Sequence, residues 1–260
     1  MTREQSLREH DRLHDPVQRA AKAAKILAIL HDALGPDLSA LRTVDVGCAT
    51  GLITKELAPH LRWILGVEYD ADALRRASGA CASGACAAGV RGPNLLLVRG
   101  DAAALPLPDA AVDLVICAQV YEHVGDSEAL AAEVYRVLSP GGVCLFSGPN
   151  RLDPIERHYG LPLLSWLPRP LADAYVRLAG RGPAYAERPR TWWGLKRLWR
   201  RFGIIDYTLA ALRDPQRYAV ADELGRLAWV GRLPVPLLRA LRPLYPNYNW
   251  VLRKAAEAQP

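Results

Sequence analysis

A glycine-rich turn and the acidic residues around it have the types and spacing to bind a small charged ligand. Asp45 lies in an apolar run, and Gly47 and Gly51 follow in a turn that leads into a helical pattern. Glycine lets the main chain approach a ligand without an intervening Cβ, and the first amide groups of a helix face such a ligand. The spacing therefore predicts a ligand site at the carboxyl end of a strand.

The turn differs from the usual dinucleotide-binding pattern, G-x-G-x-x-G. Here the order is Asp45-x-Gly47-x-Ala49-x-Gly51, with an acid inside the strand and the last glycine one position early. A carboxylate beside the turn would repel a pyrophosphate but could attract the ammonium group of an amino-acid moiety. The spacing disfavours a NAD-dependent oxidoreductase, which stays open as an alternative.

The acid that ends the second apolar run could bind a ribose. Glu68 follows the run Trp63–Val67 and stands 21 positions after Gly47. A carboxylate at this place can accept hydrogen bonds from both ribose hydroxyls. A surface acid is the alternative, and we expect Asp70 to cap the following helix.

A histidine follows the fourth apolar run, where a doubly wound sheet binds its ligands. The run Val112–Cys117 leads into the pair Glu122-His123. In such a sheet the strand order reverses between the first and fourth strands, and ligands bind there. His123 could take a proton from a bound hydroxyl, because the unperturbed pKa of histidine is near neutrality. The imidazole could instead cap a helix or pack beside the ligand.

Four segments in this order resemble the class I S-adenosylmethionine (SAM) dependent methyltransferases, in particular the type 11 branch that acts on quinones and other small molecules. They are the glycine turn, Glu68, the loop Gly100-Asp101-Ala102, and the pair Glu122-His123 with the phrase Arg136-Val137-Leu138-Ser139-Pro140-Gly141-Gly142 after it. The resemblance covers about residues 40–150. Ala49 stands where the family more often has glycine, a departure of one methyl group.

The resemblance implies SAM as the cofactor. The glycine turn would bind its methionine part, Glu68 the ribose, and Asp101 with Ala102 the adenine, although an aspartate after a strand is also ordinary turn chemistry. His123 is the predicted catalytic residue, as a general base on the acceptor side, and no metal centre is expected. The predicted cofactor-binding residues are Asp45, Gly47, Cys48, Ala49, Gly51, Glu68, Tyr69, Asp101, Ala102 and Gln119.

The implied fold class is α/β: a doubly wound, Rossmann-like sheet of seven mostly parallel strands with a reversed last strand, helices on both faces, and a helical cap and insertions. Residues 1–40 are the expected N-terminal helical segment and 41–150 the SAM-binding core. Residues 151–202 are the expected acceptor-side lid, and 203–260 hold the last two strands. In the family these strands form a short hairpin, but here a helical insertion over about residues 213–245 separates them.

The apolar pattern predicts helices over residues 17–34, 71–88, 128–138, 171–178, 191–202, 216–230 and 235–241. It predicts the last two strands over residues 204–209 and 248–252. Arg19 and Lys22 of the first helix are expected on a solvated face. In the resembling family a leading segment closes over the cofactor, so either residue could also contact its carboxylate.

The predicted lid is apolar, aromatic and rich in proline, which favours a lipophilic small-molecule acceptor, such as a quinone-like ring or a lipid-linked sugar. His158, Tyr159 and Trp166 are the candidate acceptor contacts, with plain loop residues as the alternative. The methylated atom, oxygen, carbon or nitrogen, stays open.

Charged residues are distributed unevenly along the chain. Residues 151–260 hold 19 Lys and Arg against 9 Asp and Glu, together with six of the seven tryptophans, whereas residues 1–150 are net acidic. A basic, aromatic half could contact a membrane surface or a nucleic acid, or reflect an arginine-rich composition. An RNA or protein methyltransferase and a non-catalytic SAM-binding scaffold are therefore the alternatives. Nucleic acid is disfavoured because no Asn/Asp-Pro-Pro-Tyr motif follows the fourth run. A homodimer stays open.

No apolar run reaches the length of a membrane span, and the first residues are too charged for a signal peptide. We expect a cytoplasmic protein with peripheral membrane contact as an option. The cysteines are odd in number, which favours free, buried thiols.

Overall fold

The computed structural model describes residues 16–77 and 90–256. The strands are β1 Arg42–Val46, β2 Trp63–Glu68, β3 Val90–Arg91, β4 Leu95–Arg99, β5 Val112–Ala118, β6 Leu138–Pro149, β7 Ile155–Glu156, β8 Leu161–Pro162, β9 Gly203–Asp206 and β10 Asn247–Arg253. The α-helices are α1 Pro16–Leu34, α2 Leu52–Leu57, α3 Ala71–Ala77, α4 Ser127–Val137, α5 Arg169–Leu178, α6 Trp192–Leu198, α7 Thr208–Arg213, α8 Ala221–Leu224 and α9 Val235–Ala240.

The main sheet has the strand order β3-β4-β2-β1-β5-β6-β10-β9. Strands β4, β2, β1, β5 and β6 run parallel, and β10 lies antiparallel between β6 and β9. The two-residue β3 adds an antiparallel edge to the seven predicted strands. The predicted fold, with its reversed last strand, is confirmed. Strand order reverses between β1 and β5, so both strands end beside a crevice.

Apolar side chains cover both faces of the sheet, which is why its strands read as continuous apolar runs. Along β5, Val115 and Cys117 pack into one layer, and Leu114 and Ile116 pack into the other. The C-terminal part of the chain, which is rich in tryptophan, contributes to the first of these layers. There the ring centre of Phe146 lies 5.2 Å from that of Trp199 and 5.7 Å from that of Trp250. These two tryptophans are core residues.

Two predicted elements are shorter than the apolar pattern indicated, and a third is described only in part. The helix predicted over residues 71–88 is described only as α3, because residues 78–89 lie outside the described part. The helix that Thr191 caps ends at Leu198. The strand predicted to reach residue 209 ends at Asp206, whose carboxylate accepts a hydrogen bond from the Thr208 N–H at the start of α7.

The helix predicted over residues 216–230 was wrong in type and length. It consists of the short α8 and a 3₁₀ segment, Gly225–Arg232. Gly225 has φ +47° and ψ −121°, which a continuous α-helix does not contain. A Cβ on Gly231 would lie 2.1 Å from the Leu212 carbonyl oxygen, so this segment packs directly on the backbone of α7.

A small apolar cluster organises the cap, which we define as residues 151–190. The cluster contains Leu161, Leu164, Ala172, Val176 and Tyr185. The cap leaves β6 and returns to it, since Asn150 and Arg190 form a parallel bridge. None of the helices in the described part of the chain has the length and apolarity that a membrane crossing needs.

The three cysteines of the described residues, Cys48, Cys117 and Cys144, are free and buried, as predicted. Burial raises the pKa of each thiol, so the thiols are neutral. Cys81 and Cys86 lie outside the described residues.

Candidate active site

The turn after β1 requires glycine at two positions. Gly47 and Gly51 have φ angles of +70° and +69°. A Cβ on Gly47 would lie 2.7 Å from Val120 Cγ2, and one on Gly51 would lie 2.4 Å from Leu97 Cδ1. Both the backbone and the available space therefore strongly disfavour a side chain at either position. Ala49 also has a positive φ, +49°, which costs an alanine about 1–2 kcal/mol.

The carboxylate of Glu68 joins this turn to the end of β2. Its Oε2 accepts a hydrogen bond from the Ala49 N–H and its Oε1 accepts one from the Asp70 N–H, both at 2.8 Å. The Gly100 N–H donates to the Glu68 carbonyl oxygen at 2.9 Å, which holds the end of β4 beside the end of β2. The predicted ribose-binding acid is half-buried and fixed by two amide groups.

Asp45 is buried beneath the same turn. The Thr54 hydroxyl donates to its Oδ2 at 2.6 Å. Burial raises the pKa of Asp45 to about 7, with the charge of Glu68 acting in the same direction and the Thr54 hydrogen bond and the Arg19 charge opposing it. Asp45 therefore changes charge near neutral pH and can respond to a cation that binds above it.

A cleft of about 390 Å³, including its open mouth, lies over the turn and beneath helix α1. Arg19 and Ile26 line it from α1, and Asp45, Gly47 and Thr50 line it from β1 and the turn. The expectation of a solvated face was wrong for Arg19, because this residue is half-buried and lines the cleft. Lys22 is exposed.

The residues predicted around the adenine lie at the ends of β2 and β4. Asp101 is exposed, and its Oδ1 accepts a hydrogen bond from the Ala103 N–H at 2.8 Å. Ala102 is half-buried, and the ring of Tyr69 is exposed with the Arg99 guanidinium 5.9 Å from its centre. The adjacent strand ends bring these residues to the same side as Glu68, and their role stays a prediction.

Gln119 lies at the end of β5 with a φ of +59°. Its side-chain amide donates to Asn247 Oδ1 at 2.9 Å and to Ser147 Oγ at 3.3 Å. The amide therefore connects β5 to β6 and β10, and its predicted contact with the cofactor stays a prediction.

Carboxylates and histidines gather on the other side of the crevice, in what we call the acceptor cluster: Glu122, His123, Glu156, His158 and Glu187. His123 Nε2 lies 3.9 Å from Glu122 Oε1, and His123 Nδ1 lies 3.9 Å from Glu187 Oε1. His158 Nδ1 lies 2.8 Å from Glu156 Oε1. The two imidazole rings meet edge to face at 5.0 Å.

Burial changes the proton affinities within the acceptor cluster. It raises the pKa of Glu122 to about 7 and also raises the pKa of Glu187. Burial and the neighbouring His158 lower the pKa of His123 to about 4, although 43% of its side chain is exposed. Burial also opposes charge on His158, but the hydrogen bond and charge of Glu156 outweigh it and raise that pKa to about 9.

The cap supplies more than half of the acceptor cluster. Glu156 and His158 come from its β7–β8 hairpin, and Glu187 comes from the segment that returns to the sheet, where the Arg188 N–H donates to the Glu122 carbonyl oxygen at 2.8 Å. Sequence reasoning missed Glu156 and Glu187. The available signal was the spacing of Glu156 and His158, an acid and a histidine separated by one residue.

The other two candidate acceptor contacts serve the cap's own structure. The Tyr159 hydroxyl donates to the Ala184 carbonyl oxygen at 3.2 Å and accepts from the Ala186 N–H at 3.1 Å. The Trp166 indole N–H donates to the Asp153 carbonyl oxygen at 3.3 Å, and its side chain is half-exposed. Contact of either residue with an acceptor stays a prediction.

Comparisons with known proteins agree with this geometry. Residues 44–146 match the family described as a methyltransferase domain. A probable S-adenosylmethionine-dependent methyltransferase of Mycolicibacterium smegmatis is 36% identical over 109 residues, which are 42% of this chain and 38% of the relative. A ubiquinone biosynthesis O-methyltransferase of Methylococcus capsulatus is 32% identical over 117 residues, 44% of this chain and 46% of the relative. The match thus spans less than half the length of these curated relatives.

A solved structure extends the likeness to the fold. The S-adenosylmethionine dependent methyltransferase from Mesorhizobium loti superposes with a TM-score of 0.53 at 20% identity, over 87% of this chain and 96% of that one. The matched domain begins in β1 and ends in β6, so it contains the glycine turn, Glu68 and the strand reversal. Residues 44–146 therefore form a methyltransferase domain, similar in sequence to the corresponding part of S-adenosylmethionine-dependent methyltransferases.

Proposed function

We propose that this protein transfers the methyl group of SAM to a small, lipophilic acceptor. The observation that carries the proposal is the position of the acceptor cluster beside the glycine turn. Val120 packs against Gly47, and Glu122 and His123 follow Val120 directly. The cofactor cleft and a cluster able to handle a proton thus border the same crevice.

The residues present fit SAM. Arg19 and Asp45 offer opposite charges to the carboxylate and ammonium groups of its methionine part, and Glu68 offers two acceptor oxygens to its ribose. When bound, SAM supplies a methyl group that its sulfonium has already activated. The chain's own residues then have to orient the acceptor, exclude water and accept one proton.

A lipophilic acceptor is supported by the cap. It exposes apolar side chains, among them Trp166, Leu171 and Leu178, next to the arginines of α5. Such a surface suits a conjugated ring with an apolar tail, or contact with the membrane that holds such a molecule. The Methylococcus relative is named for ubiquinone biosynthesis, which favours a quinone-like phenol among the acceptors to be tested.

Calorimetric titration tests the cofactor. We expect SAM and its demethylated product S-adenosylhomocysteine (SAH) to bind with micromolar affinity, and NAD not to bind. An acceptor screen follows, with SAH release measured over a panel of hydrophobic phenols and lipid-linked sugars. Tight binding of NAD, or no binding of SAM and SAH, would contradict the proposal. If the protein methylates RNA and no small molecule, the cofactor part of the proposal stands and the proposed acceptor class is wrong.

The affinity for SAH is expected to rise with pH. Asp45 must be ionised to attract the ammonium group, and its pKa is about 7. Binding should therefore be about tenfold weaker at pH 6 than at the plateau above pH 8, because one pH unit below the pKa leaves about a tenth of the carboxylate ionised. Titrations between pH 6 and pH 8.5 check this. Asp45→Asn should bind SAH more weakly and without this pH dependence. If the SAH affinity of the variant changes with pH as much as that of the wild type, a group other than Asp45 causes the change.

We infer that His123 contacts the acceptor and receives its hydrogen bond or proton. The imidazole is neutral at physiological pH, so its free nitrogen can accept, although a pKa of about 4 makes it a weak base on its own. His123→Ala should lower kcat by at least tenfold with an acceptor from the screen and leave the SAH dissociation constant within about twofold. Equal kcat values for the variant and the wild type would remove His123 from the reaction.

A further inference from the structure

The acceptor cluster holds more buried negative charge than its hydrogen bonds satisfy. Glu122 is completely buried, and neither of its carboxylate oxygens has a hydrogen-bond partner among the described residues. Glu187 is 7% exposed, and its Oε2 has no such partner within the same part of the chain. A buried carboxylate without a partner is strongly unfavourable unless a proton or a cation neutralises it. A cation bound in the cluster would therefore compensate carboxylate charge that the described residues leave without a partner.

Two histidines stand beside the unpartnered Glu122. One oxygen of Glu122, one ring nitrogen of His123 and one of His158 all lie within 4.8 Å of one another. His123 Nε2 and Glu122 Oε1 are separated by 3.9 Å. Ligand atoms on a tetrahedral zinc ion lie about 3.4 Å apart, given bonds of about 2.1 Å. Small side-chain rotations would thus bring these three groups onto one ion.

Each histidine also faces a second carboxylate through its other ring nitrogen. Glu156 Oε1 lies 2.8 Å from His158 Nδ1, and Glu187 Oε1 lies 3.9 Å from His123 Nδ1. Metal-binding histidines commonly donate their second N–H to a carboxylate, which fixes the tautomer and the orientation of the ring. An ion would then bind at the other nitrogen of each ring, Nε2, in place of any proton there.

We propose that Glu122, His123 and His158 bind a divalent transition-metal ion, with Glu156 and Glu187 as positioning residues for the two imidazoles. Two imidazoles and one carboxylate suit Zn²⁺, Fe²⁺ or Mn²⁺ and leave coordination positions open. This proposal departs from the expectation of no metal centre. A second set of possible ligands consists of Glu156, His158 and Glu187. In that set Glu156 and His158 already form a hydrogen bond with each other.

The ion would act on the acceptor, a step that rests on the proposed function. An acceptor hydroxyl at an open position of the ion loses its proton more readily, because the positive charge stabilises the oxygen anion. The proton leaves to solvent through the exposed edge of the cluster. The oxygen electron pair then forms the new O–CH₃ bond as the S–CH₃ bond breaks, and the electrons of that bond return to sulfur in SAH. In this arrangement His123 holds the ion, and this role replaces the proton-accepting role proposed for it above.

Metal binding can be measured without an acceptor. The full chain is stripped with a chelator, dialysed against Zn²⁺, Mn²⁺ or, without oxygen, Fe²⁺, and its metal content is determined by mass spectrometry. Co²⁺ serves as a visible-absorption probe of the ligands. We expect one ion per chain at micromolar free metal, and a higher Tm for the loaded protein.

Variants assign the ligands. Glu122→Gln and His158→Asn should each weaken metal binding by at least tenfold, and Glu187→Gln should weaken it less. His31→Asn is the matched control, since His31 and His60 form another histidine pair, with ring centres 6.4 Å apart, outside the acceptor cluster. Each variant must retain SAH binding within about twofold, which shows that it is folded.

Three outcomes would overturn the metal site: no ion bound at micromolar concentration, equal affinity in Glu122→Gln and wild type, or loss of the ion only in Glu187→Gln. If the wild-type protein binds the metal ion but does not bind SAH, the proposed function is wrong and the metal site is unaffected. The two inferences therefore fail separately.

Discussion

Glu68→Ala is expected to lower the affinity for SAH by about 100-fold or more. The carboxylate is the predicted partner of both ribose hydroxyls, and hydrogen bonds to a charged group are worth about 1.5–3 kcal/mol each. Its removal also frees the Ala49 and Asp70 amides that it now holds at 2.8 Å, so the turn itself loses a support. Isothermal titration with SAH measures the change.

Asp70→Asn is the matched control for this substitution. Asp70 lies two positions further along the chain, is exposed, and accepts a hydrogen bond from the Asp72 N–H at the start of α3. Its replacement should change the SAH affinity by less than about threefold. Equal effects of the two substitutions would mean that Glu68 acts through local structure alone and that the ribose is bound by another group.

Gly51→Ala is expected to lower the free energy of unfolding by about 2–5 kcal/mol and to abolish measurable SAH binding. The left-handed backbone at φ +69° costs an alanine about 1–2 kcal/mol. The new Cβ would also lie 2.4 Å from Leu97 Cδ1, and Leu97 is completely buried, so relief of the overlap costs about 1–3 kcal/mol more. Urea unfolding and SAH titration provide the two measurements.

Gly125→Ala is the control that shows whether replacement of a glycine without close neighbours has the same effect as Gly51→Ala. Gly125 lies in the loop before α4, and a Cβ there meets no atom within 4 Å. Its substitution should change the free energy of unfolding by less than about 1 kcal/mol and leave SAH binding intact. A stable Gly51→Ala protein that binds SAH normally would show that the turn can move away from Leu97.

The positions of the residues predicted to bind the cofactor could be predicted from the sequence because each residue lies in or directly after a strand. Asp45, Glu68 and Asp101 stand within or after apolar runs, and parallel strands bring their carboxyl ends to one side of a sheet. Arg19 was harder, because its helix could present that face to solvent or to the turn. The packing of Ile26 and its neighbours against the sheet decides between these faces, and such packing depends on residues distant in sequence.

The acceptor half was only partly predictable for the same reason. His123 follows β5, as its position in the sequence predicted, and its role toward an acceptor stays a prediction. Glu156 and Glu187 are 31 positions apart in the printed sequence, and they meet only because the cap folds on its own apolar cluster and returns to the sheet. The broken helix after residue 216 has a similar cause: a tertiary contact, that of Gly231 with the backbone at Leu212, outweighs the local apolar pattern.

The origin of the acceptor cluster from two structural units restricts how the protein can acquire a new substrate. Glu122 and His123 come from the loop after β5, whereas Glu156, His158 and Glu187 come from the cap, and the Arg188 N–H joins the two through the Glu122 carbonyl oxygen. Transplanting a foreign cap would leave the sheet's two residues without their partners. A working chimera should therefore require that the loop over residues 119–126 and the cap be exchanged as one cassette, while the cofactor-binding strands stay in place.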